Sequence, residues 1–235
     1  MKITTVLFDL DGTLLPMDMD AFIKAYFGAL AQKLAPYGYD PEKLISAIWA
    51  GTSEMIKNTG EQTNEKAFWK KFCEIFGQDA LKDEPIFEEF YRTDFSKVKE
   101  VCGYNALATK VIVTVKQKGL RVALATNPIF PAIATQNRIR WAGLVPEDFE
   151  LYTTYENSRF CKPNLDYFRD ILNTLGVYAE ECLMVGNDVD EDMVAQNLGM
   201  QVFLLTDCLL NKSRRDISEY PHGDMEQLIE FVNAL

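Results

Sequence analysis

The chain has 235 residues, 48% hydrophobic and 12% aromatic, enough to bury a sizeable core and too apolar for a disordered chain. Its formal net charge of −11 argues against a nucleic-acid backbone or an anionic membrane as partner, and no apolar segment approaches the length of a membrane span. The five cysteines, Cys73, Cys102, Cys161, Cys182 and Cys208, are scattered and never spaced Cys-x-x-Cys. No signal peptide precedes the first strand, so reduced thiols and a cytoplasmic location are expected.

The run Thr4-Thr5-Val6-Leu7-Phe8 is short, β-branched at its start and closed by Asp9-Leu10-Asp11-Gly12-Thr13. It predicts a buried strand and a tight turn. Alternation puts Asp9 and Asp11 on the same side, with Leu10 opposite. From about Pro16 to Glu100 the period becomes helical. Phe22, Tyr26, Leu30 and Leu34 form one stripe, and Asp40-Pro41-Glu42 opens a second helix carrying Leu44, Ile45, Ile48 and Trp49. Phe68, Trp69, Phe72, Ile75 and Phe76 mark a third helix, ended by Gly77; Ile86, Phe87, Phe90 and Tyr91 mark a fourth. These aromatics have the spacing of a buried helix face, so they are read as the core of a compact bundle rather than a cofactor box.

After about Tyr104 helices and strands alternate. Helices are expected over residues 106–118, 129–142, 163–175 and 191–198, and strands over 121–125, 150–153, 182–185 and 201–205. Glycines at 119, 143, 176 and 199 follow the helices and turn the chain back. Repeated helix–Gly–strand units predict an α/β fold: a Rossmann-like, doubly wound, mostly parallel sheet covered on both faces. The first strand belongs to that sheet, so the helical stretch is an insertion. Residues 1–15 with 104–235 are expected to form the α/β core and residues 16–103 an all-α domain. The only histidine, His222, falls in an expected surface excursion over residues 211–224, which removes Ser-His-Asp chemistry.

In parallel α/β sheets ligands bind beyond the carboxyl ends of the strands. Asp9, Asp11, Thr126 and Asp188 all lie just past a predicted strand, and Lys162 precedes a helix on the same side. Topology alone therefore gathers these polar groups. Carboxylates brought that close repel unless a cation or a shared proton relieves them.

Four stretches carry a family resemblance: Asp9-Leu10-Asp11-Gly12-Thr13, Ala123-Leu124-Ala125-Thr126-Asn127, Lys162-Pro163 and Gly186-Asn187-Asp188-Val189-Asp190-Glu191-Asp192. In that order they resemble the four motifs of the haloacid dehalogenase superfamily, most of whose members hydrolyse phosphates. The resemblance runs from Asp9 to about Leu205 and fits members with a helical cap between the first and second motifs. It implies a Mg2+-dependent phosphatase. Asp9 would be the nucleophile, forming an aspartyl-phosphate, and Asp11 the general acid and then base. Thr126 and the amides around Asn127 would cradle phosphate oxygens, and Lys162 would sit as a point charge beside Asp9 and the phosphate.

The family pattern assigns Mg2+ to a side-chain oxygen of Asp9, the backbone carbonyl of Asp11 and an acid of the fourth motif. Asp188 is the expected ligand, with Asp192 supporting it or its waters. Many relatives begin this motif Gly-Asp, whereas this chain has Gly186-Asn187-Asp188; a register shift of one puts Asn187 at the ligand position. Asp190 and Glu191 suit an acidic helix start and are given no catalytic role. A helical cap, hinged near Leu15-Pro16 and Val101-Gly103, excludes water and selects a small phosphorylated metabolite; a monomer or homodimer is expected. Two alternatives stay open: a sugar phosphomutase, which retains the phosphoryl group, and a non-catalytic binding module of the same fold. A dehalogenase fits less well, because those relatives lack the second acid, here Asp11.

Overall fold

A computed structural model describes residues 2–235. Six strands form one sheet: β1 (Thr5–Phe8), β2 (Arg121–Leu124), β3 (Leu151–Tyr152), β4 (Cys182–Gly186), β5 (Gln201–Leu205) and β6 (His222–Gly223). They are all parallel, in the order β3-β2-β1-β4-β5-β6. The chain order reverses between β1 and β4, so the crevice outside their carboxyl ends is the switch point where such sheets bind ligands.

Alternation along the strands builds two cores. Val6, Phe8, Leu124, Leu183 and Val185 face one side, beneath α5 (Ala106–Gln117), α6 (Ala132–Trp141) and α8 (Met225–Ala234). Leu7, Ala123, Met184 and Leu204 face the other, beneath α7 (Leu165–Leu175). Strands buried on both faces read as continuous apolar runs, which is why β1 and β4 carry no polar alternation.

Between β1 and α5 lies the helical insertion: α1 (Met19–Leu34), α2 (Pro41–Ile56), α3 (Asn64–Phe76) and α4 (Glu84–Arg92), followed by a 3-10 stretch over Asp94–Val101. The sequence marks their starts well. Asp18, Asp40 and Thr63 accept backbone N–H bonds as N-caps of α1, α2 and α3, satisfying donors that a helix start leaves orphaned. The chain enters and leaves the insertion at one place. Met17 and Cys102 form an antiparallel bridge, and Gly103 N donates to Pro16 O at 2.7 Å.

Several elements differ from the sequence expectation, each for a local reason. The helix expected from residue 129 starts at Ala132, because Pro131 is extended, with φ −65° and ψ 157°, and the residue before a proline is disfavoured in a helix. That leaves residues 128–131 as a loop beside the site. The helix expected from residue 163 starts at Leu165, where Asn164 caps it by accepting from Asp166 N. The α-helix expected over 191–198 is a 3-10 turn, Met193–Leu198. Upstream of it the Asp188 side chain bonds the N–H groups of Asp190 and Glu191, competing with helix formation. His222 lies in the edge strand β6 rather than a loop.

Phe95 joins insertion to sheet. It is 0% exposed and its ring packs on Phe22 and Phe90 of the insertion and on Trp141 of α6, the last at 4.9 Å. Phe95→Ala should cost about 3–5 kcal/mol in urea unfolding. Tyr178→Ala, at a site 74% exposed, should stay within about 0.5 kcal/mol.

Candidate active site

β1 delivers Asp9 to the switch point, and Asp9 N donates to Val185 O of β4 at 2.8 Å. The turn that follows needs Gly12. Its φ is +86°, and a Cβ there would collide with the Asn187 side chain, which packs across it. Gly186 gives β4 the same latitude, because a Cβ there would occupy the position of the Asp192 carboxylate. Close approach of backbone and side chain thus fixes both glycines.

Lys162 is the centre of the site. Its Nζ is buried and donates to Asp9 Oδ1 at 2.8 Å and to Asp192 Oδ1 at 2.6 Å. The other Asp192 oxygen accepts from Asp188 N at 3.0 Å, so the carboxylate is held at both ends. Burial favours neutral forms of these groups, whereas the facing opposite charges favour the ions. The carboxylates hold the Lys162 ammonium well above its ordinary pKa, against the effect of burial. Burial pushes Asp192 up, with Lys162 pulling the other way.

Asp11 faces a second buried cation. Arg138 of α6, 1% exposed, pairs through one guanidinium nitrogen with Asp11 Oδ2, and its plane lies over the Phe130 ring with the guanidinium carbon 4.5 Å from the centroid. Asp11 Oδ1 is buried with no hydrogen-bond partner. Burial raises the Asp11 pKa to about 6; Arg138 opposes the rise and Asp9 adds to it.

The Thr126 backbone is anchored firmly: its carbonyl accepts from Thr153 Oγ1 at 2.6 Å and from Tyr167 OH at 2.8 Å. Asn127 reaches sideways, accepting from Lys162 N at 3.3 Å and donating to Glu191 Oε2 at 3.0 Å. Glu191, given no role in the sequence reading, therefore braces Asn127. The loops on both sides of the site meet the insertion through Asn64, which is 0% exposed. Its Nδ2 lies 3.2 Å from Pro128 O and 3.3 Å from Phe160 O.

Asn187 and Asp188 stand differently. The Thr13 hydroxyl lies between Asp9 Oδ2 (3.2 Å) and Asn187 Oδ1 (3.1 Å) and has one proton for two acceptors. Asp188 Oδ1 is occupied by two backbone N–H groups, at 2.8 and 3.0 Å. Among the described residues no three His, Cys, Asp or Glu side chains are grouped to hold a metal by themselves. The unsatisfied atoms nonetheless fit a hard cation. Asp9 and Asn187 compete for one proton, and the buried carboxylates of Asp9 and Asp192 with the partly buried one of Asp11 face two cations, Lys162 and Arg138. Mg2+ takes oxygen ligands and retains waters, so amide and carbonyl oxygens can complete a set with few carboxylates.

Thus the structure brings Asp9, Lys162, Asp192 and Asn127 into one network, with Thr126 beside it and Asp11 paired separately with Arg138; Asp188 joins through its backbone. Sequence reasoning missed Arg138 and Thr13. Arg138 carried a signal: it shares the apolar stripe of α6 with Ala134 and Trp141, where a charge needs a buried partner.

The family model described as haloacid dehalogenase-like hydrolase matches residues 3–199. A pyrophosphatase, PpaX, from Bacillus cereus is 25% identical over 199 residues, covering 85% of this chain and 81% of that protein. The glyceraldehyde 3-phosphate phosphatase of Methanocaldococcus jannaschii is 28% identical over 128 residues, 54% of this chain and 55% of that one. The crystal structure of a HAD phosphatase from Thermococcus onnurineus superposes with a TM-score of 0.59 at 18% identity, over 99% of this chain and 98% of that one.

Removing one partner of a buried ion pair strands the other. Arg138→Leu should therefore cost about 3–5 kcal/mol in urea unfolding. Adding Asp11→Asn should restore most of the loss, because it removes the stranded charge.

Proposed function

The chain belongs to the haloacid dehalogenase-like hydrolases, and on that premise we propose that it is a Mg2+-dependent phosphatase of small phosphate esters working through an aspartyl-phosphate on Asp9. The observation that carries this reading is the buried Asp9–Lys162–Asp192 chain at the sheet's switch point, with the unpartnered Asp11 Oδ1 two residues from Asp9. A binding site needs no carboxylate held for attack beside a second one free to exchange a proton.

Asp9 attacks phosphorus through a carboxylate oxygen. The bond from phosphorus to the leaving oxygen breaks, and Asp11 gives that oxygen its proton. Asp11, now ionised, takes a proton from water. The water oxygen bonds to phosphorus, the bond to Asp9 breaks, and inorganic phosphate leaves. Lys162 holds Asp9 in place and neutralises phosphate charge; Thr126 and the amides near Asn127 bind the other phosphate oxygens.

Mg2+ would be held by Asp9, the Asp11 carbonyl and the fourth motif, supplying charge neutralisation at the phosphate. The Thr13 hydroxyl shared by Asp9 and Asn187 favours Asn187 Oδ1 as the third ligand; Asp188 then shapes the turn and Asp192 orients Lys162. Residues 16–103 act as a cap that flexes about the paired connectors at Pro16 and Gly103. Five unpaired cysteines favour a reducing, cytoplasmic setting, and no helix among the described residues is long and apolar enough to cross a membrane.

Phosphate release from 4-nitrophenyl phosphate with Mg2+ tests this reading. EDTA should abolish it. Asp9→Asn should lower kcat by a factor on the order of 10⁴–10⁶, and Lys162→Met by about 10²–10³. Equal rates in wild type and Asp9→Asn would reject Asp9 as nucleophile.

A further inference from the structure

A cavity of about 110 Å³ lies between the insertion and the loop that follows Asn127. The chemistry above does not use it. Its walls are largely aromatic, with Phe22, Tyr26, Trp49, Trp69, Tyr91 and Phe130 among them. Most of its polar atoms are already engaged. The Tyr26 and Tyr91 hydroxyls bond each other at 2.9 Å, and the Thr52 hydroxyl donates to Ile48 O at 2.9 Å. Trp69 is the exception. It is 7% exposed, and its buried Nε1–H lies beside the Tyr155 hydroxyl without forming a well-aligned hydrogen bond.

One side chain separates the cavity from the Asp11–Arg138 pair. Phe130 forms part of its wall and carries on its face the Arg138 guanidinium, which pairs with Asp11. Ile129, also in the wall, donates its backbone N–H to Asn127 O at 2.9 Å. The chamber thus lies one ring away from the Asp11–Arg138 pair and begins two residues along the chain from Asn127.

We propose that the cavity is the leaving-group pocket and that the preferred substrates are phosphate esters whose leaving group carries a compact apolar, ring-sized portion. The proposal rests on the phosphatase reading above and narrows its substrate class. An apolar cavity of about 150 Å³ stays dry and takes up benzene, so the present space suits one ring or a short branched chain. Aromatic walls offer ring-on-ring contact in return. A polyhydroxylated sugar would surrender its water hydrogen bonds and recover almost none here. Pyrophosphate has no group to fill the space at all.

The test compares benzyl phosphate with glucose 6-phosphate, both esters of primary alcohols, so that leaving-group reactivity is matched. With Mg2+, kcat/KM for wild type should favour benzyl phosphate by about 10–200-fold. In Thr52→Phe, which fills the cavity from α2, that preference should vanish through a raised KM for benzyl phosphate, with thermal melting confirming a folded protein. Where that variant does not fold, benzylphosphonate titrated into wild type gives the second readout. It should shift tryptophan emission, because Trp49 and Trp69 line the space, and glucose 6-phosphate should not. Equal or better turnover of glucose 6-phosphate, an unchanged ratio in folded Thr52→Phe, or no emission change with benzylphosphonate overturns the pocket assignment alone. No phosphate from either ester overturns the phosphatase reading and this proposal with it.

Discussion

A fully buried ammonium is the constraint on which the rest depends. Taking an ion out of water costs several kcal/mol even after relaxation, and the cost is met only where opposite charges and hydrogen bonds surround it. Lys162 meets that condition between Asp9 and Asp192, carboxylates that follow two adjacent strands of the sheet. The three segments satisfy their charges together in this arrangement. The end of β1, the loop leading to α7 and the turn after β4 are therefore fixed relative to one another before any ligand arrives. Such fixed dipoles and charges are what electrostatic catalysis requires, since nothing need reorganise as the reaction proceeds.

The insertion is tied to this network and not merely set over it. Asn64 bonds the loops that carry Asn127 and Lys162, and the Arg138–Phe130 stack carries the aromatic wall down to Asp11. Phe95 continues the same packing to Trp141. Movement of the helices would therefore be felt at both loops and at the second carboxylate.

Much of this was legible in the sequence, because strongly patterned segments leave little choice. The apolar run before Asp9 admits only a buried strand, and the helix–Gly–strand units admit only a parallel sheet, so Asp9, Asp11, Thr126 and Lys162 converge by topology. What was hidden depends on contacts between distant segments. Nothing local in Gly186-Asn187-Asp188 says that Asn187 lies over Gly12 while the Asp188 side chain turns back to its own backbone. The place of Arg138 on the apolar stripe of α6 calls for a buried partner, but that partner is 127 residues away and no local pattern names it. The late start of α6 was readable in principle, since Pro131 restrains Phe130, yet the purpose of that loop emerges only when the ring is seen beneath a guanidinium.

The backbone bond between Pro16 and Gly103 has an evolutionary side. Because the helical segment hangs from a two-stranded stem, its excision or exchange leaves cut ends already one hydrogen bond apart. The sheet needs no re-threading to accept a replacement. Ancestral recombination could thus trade one helical segment for another, while the carboxylates and lysine at the strand ends are inherited intact.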